Sequence, residues 1–147
     1  SIFHHFKNKD EILFGVMKEV VSAMNASLVA RLALETEPRG RVKALIDHEL
    51  TFIHGGPGNA MSVLVYEWRA LSEARQQQIL KQRESYESLW QATLEEAHQA
   101  GLIRIEPDVL RQLLHGAIAW SANWYKSGGD LSMDDLVERT LTLAVQE

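Results

Sequence analysis

The sequence predicts an all-helical fold. Apolar residues recur at spacings of three and four almost everywhere, and no segment sustains a period-two alternation rich in Val, Ile and Thr. Breakers bearing Gly, Pro, Asn or Ser then cut the chain into stretches of helical length.

Lys7-Asn8-Lys9 is the first break, and Asp10 and Glu11 place negative charge in the first turn of the helix that follows. Ile12, Leu13, Val16, Met17, Val20, Val21, Met24, Leu28 and Leu32 carry this first helix to about Leu34. Glu37-Pro38-Arg39-Gly40 reads as a second break. Val42, Leu45, Ile46, Glu49, Leu50 and Ile53 then make a second helix, which stops at Gly55-Gly56-Pro57-Gly58. A third helix is expected from about Asn59 to Leu71, with Met61, Leu64, Val65, Trp68 and Leu71 on one face. Ser72 suits the N-cap of a long fourth helix. Its stripe is Ile79, Leu80, Tyr86, Leu89, Trp90, Thr93, Leu94 and Ala97, and Gly101 is a natural stop.

Pro107 stands where a first helical residue belongs. The fifth helix carries Leu110, Leu113, Leu114, Ala117, Ile118, Trp120, Ser121 and Trp124, and Ser127-Gly128-Gly129-Asp130 ends it. Ser132-Met133-Asp134-Asp135 resembles a capping box with Asp in place of Glu. A last helix holds Leu136, Val137, Thr140, Leu141, Leu143 and Ala144.

The chain has 147 residues, enough for one domain with a real core. The absence of cysteine excludes disulfides, thiolate metal sites and a Cys nucleophile, and suits a reducing cytoplasm. A net charge of −5 makes the chain as a whole a poor partner for nucleic acid, so any DNA-binding surface must be local or missing. No stretch is expected to reach the length of a membrane span, no signal peptide is read, and no membrane partner is expected. Helical pattern is already under way at Ser1, which implies a chain that begins inside an element.

The segment Ser1-Ile2-Phe3-His4-His5-Phe6-Lys7-Asn8-Lys9-Asp10-Glu11-Ile12-Leu13 resembles the signature that closes the helix-turn-helix of tetracycline-repressor (TetR) family regulators. Thirteen contiguous residues of mixed chemistry fall in order. The resemblance implies that residues 1–8 are the end of a DNA-binding helix-turn-helix. Residues 9–147 would form a helical-bundle domain for ligand binding and dimerisation, with the helix from about residue 9 shared between the two. It also implies DNA-backbone contacts from Phe3, His4, His5 and Lys9. Such contacts position a protein without reading sequence, and a helix N-terminus at Lys9 adds free backbone N–H groups. Where the family often has Tyr, this chain has Phe3, so a hydroxyl contact is lost there. Ile2 and Phe6, one helical turn apart, read as core.

Shorter strings point to one branch of the family. Glu67-Trp68-Arg69-Ala70-Leu71, Arg83-Glu84-Ser85-Tyr86-Glu87-Ser88-Leu89-Trp90, Ala100-Gly101-Leu102-Ile103 and Trp120-Ser121-Ala122-Asn123-Trp124-Tyr125-Lys126 resemble repressors that respond to acyl-CoA thioesters. The expected function is therefore a ligand-responsive repressor that senses a fatty acid, an acyl-CoA or a related thioester. A regulator of efflux genes that senses hydrophobic drugs is the alternative. No cofactor is expected.

A ligand pocket needs a mainly apolar wall with a few placed polar groups. Phe14, Met17, His48, Phe52, Met61, Val65, Trp68, Tyr86 and Trp90 can supply such a wall. Arg69, with Arg75 and Arg83, can meet phosphates at its mouth. The same aromatics equally serve as ordinary core, the same arginines as ion-paired surface, and His48 and His54 as satisfied or exposed histidines.

The resemblance further implies a homodimer built on the last two long helices, here the fourth and fifth. Trp90, Leu94, Leu113, Ala117, Trp120, Ser121 and Trp124 are the candidate interface residues. Gly116, Ala117, Ala119 and Ala122 allow close approach of helices, and a two-fold axis suits a palindromic operator.

Two other classes compete. An enzyme would need a constellation that is missing from the sequence. Glu95-Glu96-Ala97-His98 holds one Glu-x-x-His spacing without a second copy, and there is no Gly-rich phosphate loop, nucleophile elbow or His-Glu-x-x-His string. A helical adaptor that binds only protein would lack an enclosed pocket.

Overall fold

The computed structural model describes residues 9–55 and 67–146. Every regular element among the described residues is helical: α1 (Lys9–Ala33), α2 (Pro38–His54), a single 3₁₀ turn (Trp68–Ala70), α3 (Glu73–Gln99), α4 (Pro107–Trp120) with a 3₁₀ turn after it (Ser121–Asn123), and α5 (Met133–Ala144). The all-helical expectation holds. Most of the expected third helix, with Met61, Leu64 and Val65, lies outside the described residues, as do Phe3, His4 and His5.

α1 buries Leu13, Met17, Val20, Val21, Met24, Leu28 and Leu32, a seam at spacings of three and four, against α2 and α3. One sequence expectation needs correction here. α1 is long and apolar enough to cross a membrane by length and composition, with a mean hydropathy of 1.5 over its richest 18 residues. Arg41 holds its C-terminal end, donating to Leu32 O at 2.9 Å and, just past the helix, to Glu35 O at 3.3 Å.

α2 begins at Pro38, so the segment read as a break is its first turn. Proline at N1 lacks only an N–H that would be free there anyway. Val42, Ala44, Leu45, Ile46, His48, Glu49 and Leu50 are all buried. α2 is thus the central helix, touching α1, α3, α4 and α5.

α3 is capped as expected. The Ser72 hydroxyl accepts from the Arg75 N–H at 3.3 Å, and Gly101 at φ 78° takes the left-handed turn that ends the element. α4 starts at Pro107 and buries Leu110, Leu114 and Ile118 along one face. It stops four residues short of Trp124, where the chain tightens into a 3₁₀ turn with Ser121 Oγ donating to Ile118 O at 2.5 Å. Ser132 caps α5 through the Asp135 N–H at 3.1 Å, and α5 packs on α2.

The core has two parts. The larger joins α1, α2, α3, α4 and α5 around Leu28, Leu45, Tyr86, Trp90 and Leu141. The smaller, at the N-terminal end of α1, holds Leu13, Met17, Val21, Leu71 and Ile79, flanked by Phe14 and Trp68. A polar seam ties α1 to α3 beside it. Asp10 accepts from the Ser72 N–H at 2.9 Å and pairs with Arg75. The Gln82 amide donates to Lys18 O at 3.2 Å and Ser22 Oγ at 2.8 Å.

Candidate functional site

A charged cluster lies where α2, α3 and α4 meet. Glu49 comes from α2, Tyr86 and Glu87 from consecutive positions of α3, and Arg111 and His115 from one face of α4. The Tyr86 hydroxyl donates to Glu49 Oε1 at 2.8 Å. The His115 ring bridges two carboxylates, with Nδ1 2.8 Å from Glu49 Oε2 and Nε2 2.9 Å from Glu87 Oε2. Arg111 donates to Glu87 at 2.7 Å and to Gln91 Oε1 at 3.0 Å.

Burial alone would hold His115 neutral, but its hydrogen bonds to Glu49 and Glu87 overcome this and push its pKa up to about 9. Burial would likewise raise Glu87. The hydrogen bond and charge of His115, with help from Arg111 and Arg83, instead hold it down at about 2. Burial and the neighbouring Glu49 carboxylate push the Tyr86 phenol far up, so it stays a donor. The cluster thus sets His115 between Glu49 and Glu87, with Arg111 and Arg83 both reaching Glu87.

An aromatic patch continues from this cluster toward α1. His48 lies 6.1 Å from the Tyr86 ring and 5.0 Å from Phe52 between centroids, and Trp90 lies 4.4 Å from His115. His48 Nε2 is 2.5 Å from Ser27 Oγ of α1. Burial, with a smaller push from Arg31, lowers the His48 pKa to about 4, while Asp47 works the other way, so His48 is neutral near pH 7. The Trp90 indole N–H faces the Tyr86 hydroxyl one turn before it, and His48 Nδ1 is buried without a hydrogen-bond partner among the described residues.

The structure divides the expected pocket residues. His48, Phe52, Tyr86 and Trp90 gather in the larger core, whereas Phe14, Met17 and Trp68 belong to the smaller one. The expectation of a single wall is corrected to that extent, and Met61 and Val65 lie outside the described residues. Glu49, Glu87, Arg111 and His115 were not anticipated. Their signal was the face they share with core residues: Arg111 and His115 lie on the side of α4 that carries Leu114 and Ile118.

Beside the smaller core, α1 and α3 border an open groove of about 420 Å³, lined by Phe14, Lys18, Gln78, Lys81 and Gln82. The arginines expected at a pocket mouth are placed otherwise. Arg75 pairs with Asp10 and lies over the Phe14 ring, 5.4 Å from its centroid. Arg83 reaches Glu87 at 3.5 Å, and Arg69 is exposed on the 3₁₀ turn. Lys18 and Lys81 are the basic residues that line the groove.

The outer side of α4 is apolar. Val109, Leu113, Gly116, Ala117 and Trp120 form one exposed stripe, with Leu113 57% and Trp120 67% accessible, and Trp124 continues it at 52%. Of the other expected interface residues, Trp90 and Leu94 are fully buried in the protomer, and Ser121 is 2% accessible with its hydroxyl 2.8 Å from His54 Nε2.

Lys9 stands exposed at the start of α1, 4.0 Å from Glu67. Glu95 and His98, the lone Glu-x-x-His pair, are both exposed, and no group of metal-ligating side chains forms among the described residues.

Residues 35–147 match the family model described as the tetracyclin repressor-like, C-terminal domain. The crystal structure of superantigen PfiT superimposes with a TM-score of 0.91 at 44% identity, over 99% of this chain and 78% of that one. AibR, in complex with isovaleryl coenzyme A and operator DNA, superimposes with a TM-score of 0.84 at 22% identity, over 97% of this chain and 78% of that one. The HTH-type transcriptional repressor KstR2 of Mycolicibacterium smegmatis is 23% identical over 150 residues, covering 99% of this chain and 72% of that protein.

Proposed function

The chain belongs to the tetracycline-repressor (TetR) family, and from that premise we propose that it is the ligand-sensing and dimerising part of a cytoplasmic transcriptional repressor. Its ligand is a small amphipathic molecule of the fatty acid, acyl-CoA or thioester class. Ligand binding changes affinity for operator DNA. No cofactor takes part.

The seam between α1 and α3 carries this reading. At its outer end lies the lysine-lined groove, suited to an anionic headgroup. Along it run Met17, Val21 and Met24, an adaptable apolar wall. Next to the inner end of the seam are Tyr86, Trp90 and His48. α1 itself runs from Lys9, where the family resemblance places DNA-backbone contact with Phe3, His4 and His5, into that core. A ligand that prefers one position of α1 shifts the spacing of two DNA-binding heads, provided it binds the two states with different affinity. AibR, a protein of this fold, is seen with both isovaleryl coenzyme A and operator DNA, which supports the reading.

The test uses the protein with its whole helix-turn-helix. An operator is selected from random DNA and titrated with octanoyl-CoA. Release of the DNA at saturating octanoyl-CoA is expected, and unchanged affinity would sink the proposal.

A second reading rests on the 44% identity to PfiT, which is described as a superantigen. The exposed stripe of Leu113, Trp120 and Trp124 would then dock on a foreign protein. Proliferation of T cells exposed to the purified chain is its expected sign, and the absence of any response removes it.

A further inference from the structure

Two rows of side chains meet along the seam between α1 and α3. On α1 they are Asp10, Phe14 and Lys18, each four residues after the last. On α3 they are Arg75, Gln78 and Gln82, at spacings of three and four. The groove is lined by the later members of both rows, Phe14, Lys18, Gln78 and Gln82, together with Lys81. One turn earlier on each helix stand Asp10 and Arg75.

Arg75 joins the groove to the start of α1. Its guanidinium pairs with Asp10 and lies over the Phe14 ring, 5.4 Å from the centroid. The other oxygen of Asp10 accepts from the Ser72 N–H at 2.9 Å. Asp10 thus ties the first turn of α1 to the start of α3 by two bonds, of which one depends on Arg75. That bond is exchangeable. Both side chains are partly exposed, at 30% for Arg75 and 26% for Asp10, and an ion pair so placed is weak. A guanidinium offers parallel N–H groups to a phosphate or carboxylate, so an anion competes for it strongly. Lys18 and Lys81, which make no ion pair among the described residues, draw an anion to the same place. Farther along, Gln82 holds the two helices by neutral bonds, to Lys18 O and Ser22 Oγ.

We propose that Arg75 is a relay, which holds Asp10 in the absence of ligand and turns to the ligand's phosphate or carboxylate group when the groove is filled. This rests on the reading that the groove takes an anionic headgroup. It adds how occupancy reaches the DNA-binding end. Phe14 moves with Arg75, Asp10 keeps only the Ser72 N–H, and the first turn of α1, beginning at Lys9, loosens from α3. Arg75 and Asp10 are positioning residues for the DNA-binding head.

The Arg75 Nε–H signal of the 147-residue chain, identified by its disappearance in Arg75→Lys, is followed by two-dimensional proton–nitrogen spectroscopy. Octanoyl-CoA is expected to shift it, and 1-octanol, the neutral probe, to leave it in place. A signal unmoved by octanoyl-CoA at millimolar concentration overturns the proposal, as does an equal response to 1-octanol. In the protein with its whole helix-turn-helix, Asp10→Asn is expected to weaken operator binding about tenfold without any ligand, roughly the loss of one charge-assisted hydrogen bond. Removing a negative charge would by itself strengthen DNA binding, so the expected loss has the opposite sign to plain electrostatics. The unfolding midpoint is expected to stay nearly unchanged. Operator binding that is unchanged or tighter in Asp10→Asn also overturns the proposal. The sensor reading falls separately, if the parent protein keeps its operator affinity at saturating octanoyl-CoA, whatever Arg75 does.

Discussion

His115 holds three helices through two bonds. Its ring joins Glu49 of α2 to Glu87 of α3 from a position on α4, and removing it leaves two carboxylates close together in the interior. Breaking a buried ion pair by deleting one partner typically costs about 3–5 kcal/mol, because the remaining charge is uncompensated. His115→Gln keeps a donor but loses the charge, and a loss at the lower end, about 3 kcal/mol, is expected from urea unfolding. The pH dependence follows from the same residues. The folded pKa of His115 is raised from 6.5 to about 9, so its contribution is complete below pH 6.5 and fades as pH rises through 9. Glu87 is depressed from 4.5 to about 2, so its contribution is complete above pH 4.5 and fades as pH falls through 2. His48 is depressed from 6.5 to about 4, so its share is complete above pH 6.5 and fades on the way down to 4. Together these place the stability maximum from this cluster near pH 6.5. His115→Gln is expected to flatten the decline between pH 6.5 and 9. If the variant declined as steeply as the parent over that range, the cluster would not be its source.

At the scale of the element, what was legible in the sequence is what is decided within a few residues. Ser72, Ser132, Pro107 and Gly101 mark helix ends by local bonds and local φ, and all four act where their spacing places them. Pro38 shows the limit of such signals. Proline followed by glycine reads as a loop, yet proline at N1 is also how a helix starts, and only the packing of α2 on four neighbours decides between the two. The end of α4 was misread for a similar reason. Trp124 continues the apolar period, but the chain has already tightened into a 3₁₀ turn at Ser121–Asn123. The charged cluster was illegible because its bonds join residues 28, 37 and 66 positions apart. No local pattern pairs Glu49 with His115. The apolar period recognised Tyr86 and Trp90 as inward-facing but could not show that Phe14 and Met17 fall into a separate core nearer the start of α1.

The whole molecule poses the question of what covers α4. Its inner side is filled by Leu110, Leu114 and Ile118, while its outer side leaves Val109, Leu113 and Trp120 in contact with water, and Trp124 beyond its end is exposed as well. An apolar stripe of this size is unusual on a free surface. Gly116 and Ala117 lie within it, so a second helix can come close between the larger side chains. A second copy of the same stripe satisfies the self-complementarity that a two-fold axis demands, with tryptophans as anchors. Trp90 and Leu94, buried behind it, then act as the wall on which the interface rests. Leu113→Glu places a charge at the centre of the stripe without touching the inner face of α4. It is expected to weaken self-association about a hundredfold and to leave the unfolding midpoint of the isolated protomer nearly unchanged, as sedimentation and denaturant titration at low concentration can show. The same variant separates the two functional readings. If the stripe serves the dimer of a repressor, Leu113→Glu loses operator binding together with self-association, since two half-sites need two heads on one axis. If the stripe serves a foreign protein instead, self-association is absent from the start and the variant loses only the T-cell response.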